Sequence, residues 1–188
     1  TLKAGVGLYQ QPPTPDQTVE DIGNPDLLPL RSIQTSFGVE QGVLDILTVE
    51  LTGFYKYLDR QVIRNPLYFA NPEEEPPYVS DGTGRIYGLE VLIKAAYAGF
   101  NGWLAYTFQR SLRTDGPDAE ERPFDFDQPH ILTVVGTYHF PYDIYAGLRF
   151  RLVSGNPSTS IVGLIYESVS DTYIPLYGET KSERQATF

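Results

Sequence analysis

Apolar and polar residues alternate with a period of two along most of this chain, and no other feature restricts its fold so tightly. Leu47, Val49, Leu51, Gly53, Tyr55 and Tyr57 are separated by residues such as Thr48, Glu50, Thr52 and Lys56. Successive side chains of a strand point to opposite faces, so this segment is a strand with one apolar and one polar face. The pattern recurs in Leu2–Leu8, Ile33–Val39, Tyr87–Tyr97, Leu104–Phe108, Leu132–Phe140 and Ile144–Leu152. It predicts about seven strands, near 2–9, 32–41, 45–63, 85–98, 102–114, 128–140 and 143–154. No segment keeps a helical period, and none approaches the roughly 18 consecutive apolar residues of a membrane helix.

The connections between these strands alternate in length. Tight turns are expected at 41–44, 98–102 and 141–143, and long connections near 10–31, 65–84, 113–127 and 155–187. All the long ones fall at one end of the sheet, and they hold most of the prolines and the acidic runs Glu73-Glu74-Glu75 and Asp118-Ala119-Glu120-Glu121. Loops longer than about 12–15 residues are uncommon in compact domains. Outer-membrane barrels, by contrast, pair short periplasmic turns with long extracellular loops.

Two environments produce such alternation. A soluble secreted β-sandwich turns its apolar face to a core; a membrane barrel turns it to lipid and its polar face to the lumen. Long strands favour the barrel. So do aromatics at strand ends on the apolar set, as at Tyr55, Tyr57, Tyr87, Tyr97, Tyr138 and Phe140, where an interfacial girdle would lie. The expected fold is therefore all-β: an antiparallel, up-and-down, transmembrane β-barrel segment. A barrel must close, and single-chain bacterial barrels have an even number of strands, at least about 8. About seven strands cannot close, so residues 1–188 are expected to be one part of a larger barrel. Thr1 opens directly into the alternation, and the residues before Phe188 do not alternate like a last strand.

Composition excludes other classes. The formal net charge of −10 argues against nucleic acid as a partner. The absence of Cys removes disulfides, thiolate metal sites and a Cys nucleophile.

Four local patterns stand out: Gln11-Pro12-Pro13 at the entry to the first long connection, the run from Asn24-Pro25 to Ser32, the strand Leu51-Thr52-Gly53-Phe54-Tyr55-Lys56, and Gly84-Arg85-Ile86-Tyr87-Gly88-Leu89-Glu90. Together they resemble the C-terminal barrel half of TonB-dependent outer-membrane receptors. Leu30 stands where the family pattern carries Glu. Asn-Pro and Pro29 also make physical sense alone, because proline restricts itself and its predecessor to an extended entry. The resemblance implies a plugged barrel of about 22 strands in the bacterial outer membrane. It implies uptake of a scarce nutrient such as an iron–siderophore complex. The implied partners are outer-membrane lipid and lipopolysaccharide, the rest of the barrel, a plug domain, and the TonB system through an N-terminal part. The alternative is a structural or adhesive barrel, or a partner-binding platform, without transport.

No catalytic constellation, metal site or cofactor motif is read. His130 and His139 fall on opposite faces of one strand, and Gly82-Thr83-Gly84 reads as a turn. Asp115, Asp118, Asp125 and Asp127 lack EF-hand spacing and read as ordinary loop acids. By parity Glu50, Lys56, Glu90, Lys94, Arg149 and Arg151 face the lumen, where mutual pairing across strands is expected. In the long connections Tyr68, Phe69, Tyr78, Arg85, Arg110 and Arg113 are the candidate ligand contacts, being of the types that dominate recognition.

Overall fold

The structure, a computed structural model, describes residues 1–20, 22–167 and 172–184, with the side chains of 69, 160, 167 and 177–184 outside that description. Segments rich in β-branched and aromatic residues fit a pleated surface and form strands. In chain order these are β1 (Leu2–Gln11), β2 (Leu30–Val43), β3 (Leu47–Arg64), β4 (Tyr78–Tyr97), β5 (Phe100–Thr114), the two-residue β6 (Arg122–Pro123), β7 (His130–Phe140) and β8 (Ile144–Val153). The sheet runs β1-β2-β3-β4-β5-β7-β8, each strand antiparallel to the next, with β6 paired to the loop end of β5. This is the up-and-down order expected of a barrel wall.

Register carries the argument from strands to faces. Leu8 pairs with Ile33, Ile33 with Tyr57, Tyr57 with Arg85, and Arg85 with Leu112. One same-face step away, Val6, Thr35, Tyr55, Tyr87 and Arg110 form the next row. Further along, Leu104 pairs with Val134 and Val134 with Phe150. Between these rows no pairing slips by an odd residue, so every apolar set lies on one continuous face. That face is not a core. Val6 is 82% exposed, Leu148 75% and Phe37 56%. Among the described residues the buried hydrophobic side chains are Leu27, Ile63 and Val153, all at the loop end of the sheet. A sandwich of this size would bury its apolar face, so the sandwich alternative fails.

The apolar band has membrane dimensions. Leu47 to Tyr57 extends about 34 Å at about 3.4 Å per residue, which a tilt of about 40° reduces to about 26 Å, the height of an outer-membrane band. Tyr55, Tyr57, Tyr87 and Phe108 border it at the loop end. Tyr97, Phe100, Tyr138 and Phe140 border it at the turn end, where the rings of Tyr138 and Phe140 meet edge to face at 4.6 Å. Among the described residues β1 and β8 each have one paired neighbour. An open edge leaves peptide groups unpaired in hydrocarbon, so a spanning sheet needs further strands against both.

The short turns are left-handed: Leu44 and Asp45 (φ 53 and 55), Ala98 and Gly99 (φ 47 and 85), Tyr142 and Asp143 (φ 69 and 56). Positive φ at both central positions matches the twist of the flanking strands. The long connections are 12–29, with a short helix α1 (Pro15–Thr18), 65–77, opening on a 3-10 turn (Pro66–Phe69), and 115–129, carrying β6. Two expectations need correction. Gly82-Thr83-Gly84 is not a turn but lies inside β4, which begins at Tyr78. A compensating pair of register shifts, one beside Arg60 (φ 58), lets β3 and β4 continue past the apolar band. Within 155–187 the described residues are not irregular: Pro157–Glu167 (β9) and Thr172–Arg184 (β10) pair antiparallel as a separate hairpin. Its prolines sit at the start of β9 and within β10, positions a two-stranded ribbon tolerates.

Candidate functional site

The polar face of the sheet is concave. A depression of about 660 Å³ is lined by Tyr9, Gln34, Ser36, Phe54, Lys56 and Glu90, with Gly5 and Gly7 giving it a low floor. The register places all six expected charges, Glu50, Lys56, Glu90, Lys94, Arg149 and Arg151, on this face. Among the described residues Glu50 is the one of these six that forms a side-chain ion pair, and its partner is Lys3 of β1. Lys3 Nζ donates to Glu40 Oε2 at 2.8 Å and to Glu50 Oε1 at 3.1 Å. Glu40 and Glu50 face each other directly across β2 and β3, and the ammonium offsets their repulsion. Lys56 Nζ sits 5.8 Å from the Phe54 ring centre. Arg149 and Arg151 pair with Val135 and Thr133 of β7. Among the described residues they have no carboxylate partner, so pairing across strands holds for Glu50 and not for them.

At the loop end the six candidate contacts separate. Tyr68 and Tyr78 share a small concavity of about 210 Å³ with Ile22, Arg64, Asn65 and Pro77. The side chain of Phe69 lies outside the described residues. The three arginines instead hold the 115–129 connection. Arg85 Nη2 donates to Glu121 Oε2 at 2.5 Å. Arg110 Nε donates to Asp127 Oδ2 at 3.2 Å. Arg113 lies 4.4 Å from the Phe124 ring centre as a cation–π contact. By register Arg85 and Arg110 share the apolar face, whereas Arg113, opposite Gly84, is on the polar one.

Several rim residues carry weight that sequence reading missed. Asp127, expected to be an ordinary loop acid, has none of its surface exposed, and it accepts the Ser111 N–H at 2.7 Å. Asn65, 4% exposed, accepts the Leu67 N–H and donates to Glu75 and to the Pro76 carbonyl, each at 3.0 Å. Asn24 donates to the Tyr78 carbonyl at 2.8 Å and accepts the Asp26 N–H at 2.9 Å, tying the first long connection to β4. Arg122 donates to Asp115 at 2.6 Å, which holds its guanidinium above the ordinary Arg range. Sequence offered one signal here, the Asn-Pro pairs at 24–25 and 65–66; nothing local marked Asp127.

The histidines have structural contacts. His130 Nδ1 is 2.8 Å from the Tyr106 hydroxyl, and His139 stacks on Tyr145 with ring centres 4.3 Å apart. Among the described residues no three His, Cys, Asp or Glu cluster so as to hold a metal ion.

Residues 1–183 match the family described as TonB dependent receptor-like, beta-barrel. No curated protein matches the chain. Solved structures do. The ferric-catecholate import receptor Fiu of E. coli K12, in its closed form, is 19% identical with a TM-score of 0.64, over 86% of this chain and 24% of that one. FpvA of P. aeruginosa bound to a heterologous pyoverdine is 17% identical with a TM-score of 0.67, over 98% of this chain and 24% of that one. The pyoverdine-bound FpvA of P. aeruginosa PAO1 gives 17% and 0.65, over 94% and 25%. The chain thus spans about a quarter of the length of these receptors, and at such identities the likeness concerns the fold.

Proposed function

Because the chain belongs to the TonB-dependent receptor-like β-barrel family, whose members are proteins of the bacterial outer membrane, we propose that its parent protein takes up a scarce nutrient such as an iron–siderophore complex. The observation that carries this reading is the two-faced sheet: an exposed apolar face, a concave polar face, and long connections at one end only. In this reading the long connections are extracellular and the polar face is the lumen wall. Tyr68 and Tyr78 meet the ligand as it arrives, and Phe69 is a further candidate contact of the same connection. Lys56, Glu90, Lys94, Arg149 and Arg151 then face a plug domain or the passing ligand. TonB acts through an N-terminal part of the parent protein and moves the plug. The resemblance to a ferric-catecholate and a pyoverdine receptor supports an iron chelate as cargo. The test is deletion of the TonB box from the intact gene, followed by uptake of labelled ferric chelates: loss of uptake is expected, and unchanged uptake of every chelate taken up by the parent strain overturns the reading.

A partner-binding platform without transport is the second reading, and the β9–β10 hairpin is what favours it. It exposes Leu164 and Tyr173 on one face, Ile165 and Ile174 on the other. An isolated two-stranded hairpin is marginal in water, so a covering surface stabilises it. Partner capture that survives the same TonB-box deletion, with no chelate uptake in either strain, selects this reading.

A further inference from the structure

We infer that Arg149 and Arg151, with Trp103 facing them, form a cargo-binding site on the turn-side half of the polar face, and that the cargo is a negatively charged chelate with flat aromatic donor groups. This rests on the uptake reading above and narrows it to one charge class. Arg149 and Arg151 stand two residues apart on the polar face of β8, about 7 Å along the strand. Across the sheet Arg149 pairs with Val135, and Val135 with Trp103. Two strand spacings, about 10 Å, separate Arg149 from the chain's one tryptophan. The positions between them are the short side chains Val135, Thr133 and Ala105. The result is a bay with a low floor, two guanidinium groups on one side and an indole, 39% exposed, on the other. Tryptophan in a membrane protein concentrates at the lipid–water border; this one lies on the polar face instead.

The charge of this sector is one-sided. The strands β5, β7 and β8 contain no Asp or Glu. Lys94 adjoins Trp103 from β4 and adds a third cation. On the far side of the same face Glu40 and Glu50 are held by Lys3. Glu90 lies opposite Thr107, three strands from β8. At the loop end Arg31, Arg85 and Arg110 each have a carboxylate partner; among the described residues Arg149 and Arg151 have none. Two like charges at this spacing repel, and an anion between them removes that cost. The planar fork of arginine suits the charged oxygen donors of a chelate, and an indole stacks on a flat ring. A concave wall lined by one sign of charge strengthens the attraction. An uncharged chelate gains nothing from the two arginines.

Uptake by cells carrying the full-length receptor tests this with two probes: a ferric tris-catecholate, which is trianionic and aromatic, and a ferric tris-hydroxamate, which is uncharged. The trianion is expected to enter at least about tenfold faster. Arg149→Gln with Arg151→Gln is expected to lower its maximal rate at least about fivefold while KM stays within about twofold, because capture at the mouth precedes this site. Arg149→Lys with Arg151→Lys keeps the charge and should retain at least about half the rate. Barrel folding of each variant is checked by heat-dependent gel mobility. If the Gln pair fails to fold, Trp103→Leu, expected to slow the trianion alone, decides the same question. Equal or faster entry of the uncharged chelate, or an unchanged rate in the variants, overturns the site and leaves chelate uptake standing. A rise in KM alone places anion recognition at the mouth and overturns the site too. Leakage of a bulky antibiotic through the Gln pair, with both chelates slowed alike, assigns the arginines to a plug contact and overturns it. Entry of neither chelate overturns the uptake reading itself, and this site with it.

Discussion

Asp127 lies fully buried against Ser111, whose backbone N–H donates to its carboxylate at 2.7 Å across 16 residues of sequence. This bond anchors the 115–129 connection to the end of β5, with the Arg110 Nε donating to the other oxygen at 3.2 Å. Replacing Asp127 by Ala leaves a peptide N–H buried without its acceptor, a loss of about 1–3 kcal/mol. Amide hydrogen exchange at Ser111 in the full-length receptor should accelerate by at least about fivefold in Asp127→Ala, while exchange in β1 and β2 stays as it was.

Gly88 separates two strands that approach too closely for a side chain. A Cβ there would meet the backbone carbonyl of Phe108 and would lie 2.7 Å from Phe54 Cζ. Backbone cannot swing aside as a side-chain tip can, so Gly88→Ala should destabilise the barrel by about 1–3 kcal/mol. Gly42, with nothing within 4 Å of its would-be Cβ, is the matched control. The temperature at which the folded band disappears on unheated gels should fall for Gly88→Ala and stay within error for Gly42→Ala.

Charge tolerance should follow the faces. Leu51 lies mid-band on the apolar face, paired with Val39 and Val91, and Leu51→Arg puts a guanidinium near the bilayer midplane at a cost of about 2–4 kcal/mol. Thr107 lies on the polar face between Glu90 and Ile131, so Thr107→Arg gains a carboxylate neighbour. The amount of folded receptor recovered from outer membranes should fall for the first and hold for the second.

Period-two alternation is local, and for that reason the seven strands of the main sheet and their faces were legible from sequence. What escaped depends on groups brought together from distant segments. Nothing near Asp127 in sequence announces Ser111 or Arg110, and Arg85 meets Glu121 across 36 residues. These pairings give Arg85 and Arg110 a hold on the 115–129 connection that no local pattern announces. The start of β4 at Tyr78 is not legible in sequence because Gly82 and Gly84 look like turn residues. They are needed instead for close packing: a Cβ on Gly82 would lie 2.7 Å from Ile63 Cγ2, and one on Gly84 would lie 2.5 Å from Gln61 Nε2. The β9–β10 hairpin was hidden by Pro157 and Pro175, which mimic loop composition. The Asn24–Ser32 pattern was visible as a resemblance, but the bond from Asn24 to the Tyr78 carbonyl, which gives it a purpose, was not.

The central claim is that one face of this sheet meets lipid and the other does not. Residues 1–188 contain no Cys, so spin labels can be placed singly from Val49 to Lys56 in the full-length receptor, reconstituted in bilayers and freed of any Cys elsewhere. Oxygen, which concentrates in the bilayer interior, should relax labels at 49, 51, 53 and 55 strongly and those at 50, 52, 54 and 56 weakly. Uniform relaxation along the strand, or alternation of the opposite phase, would contradict the account.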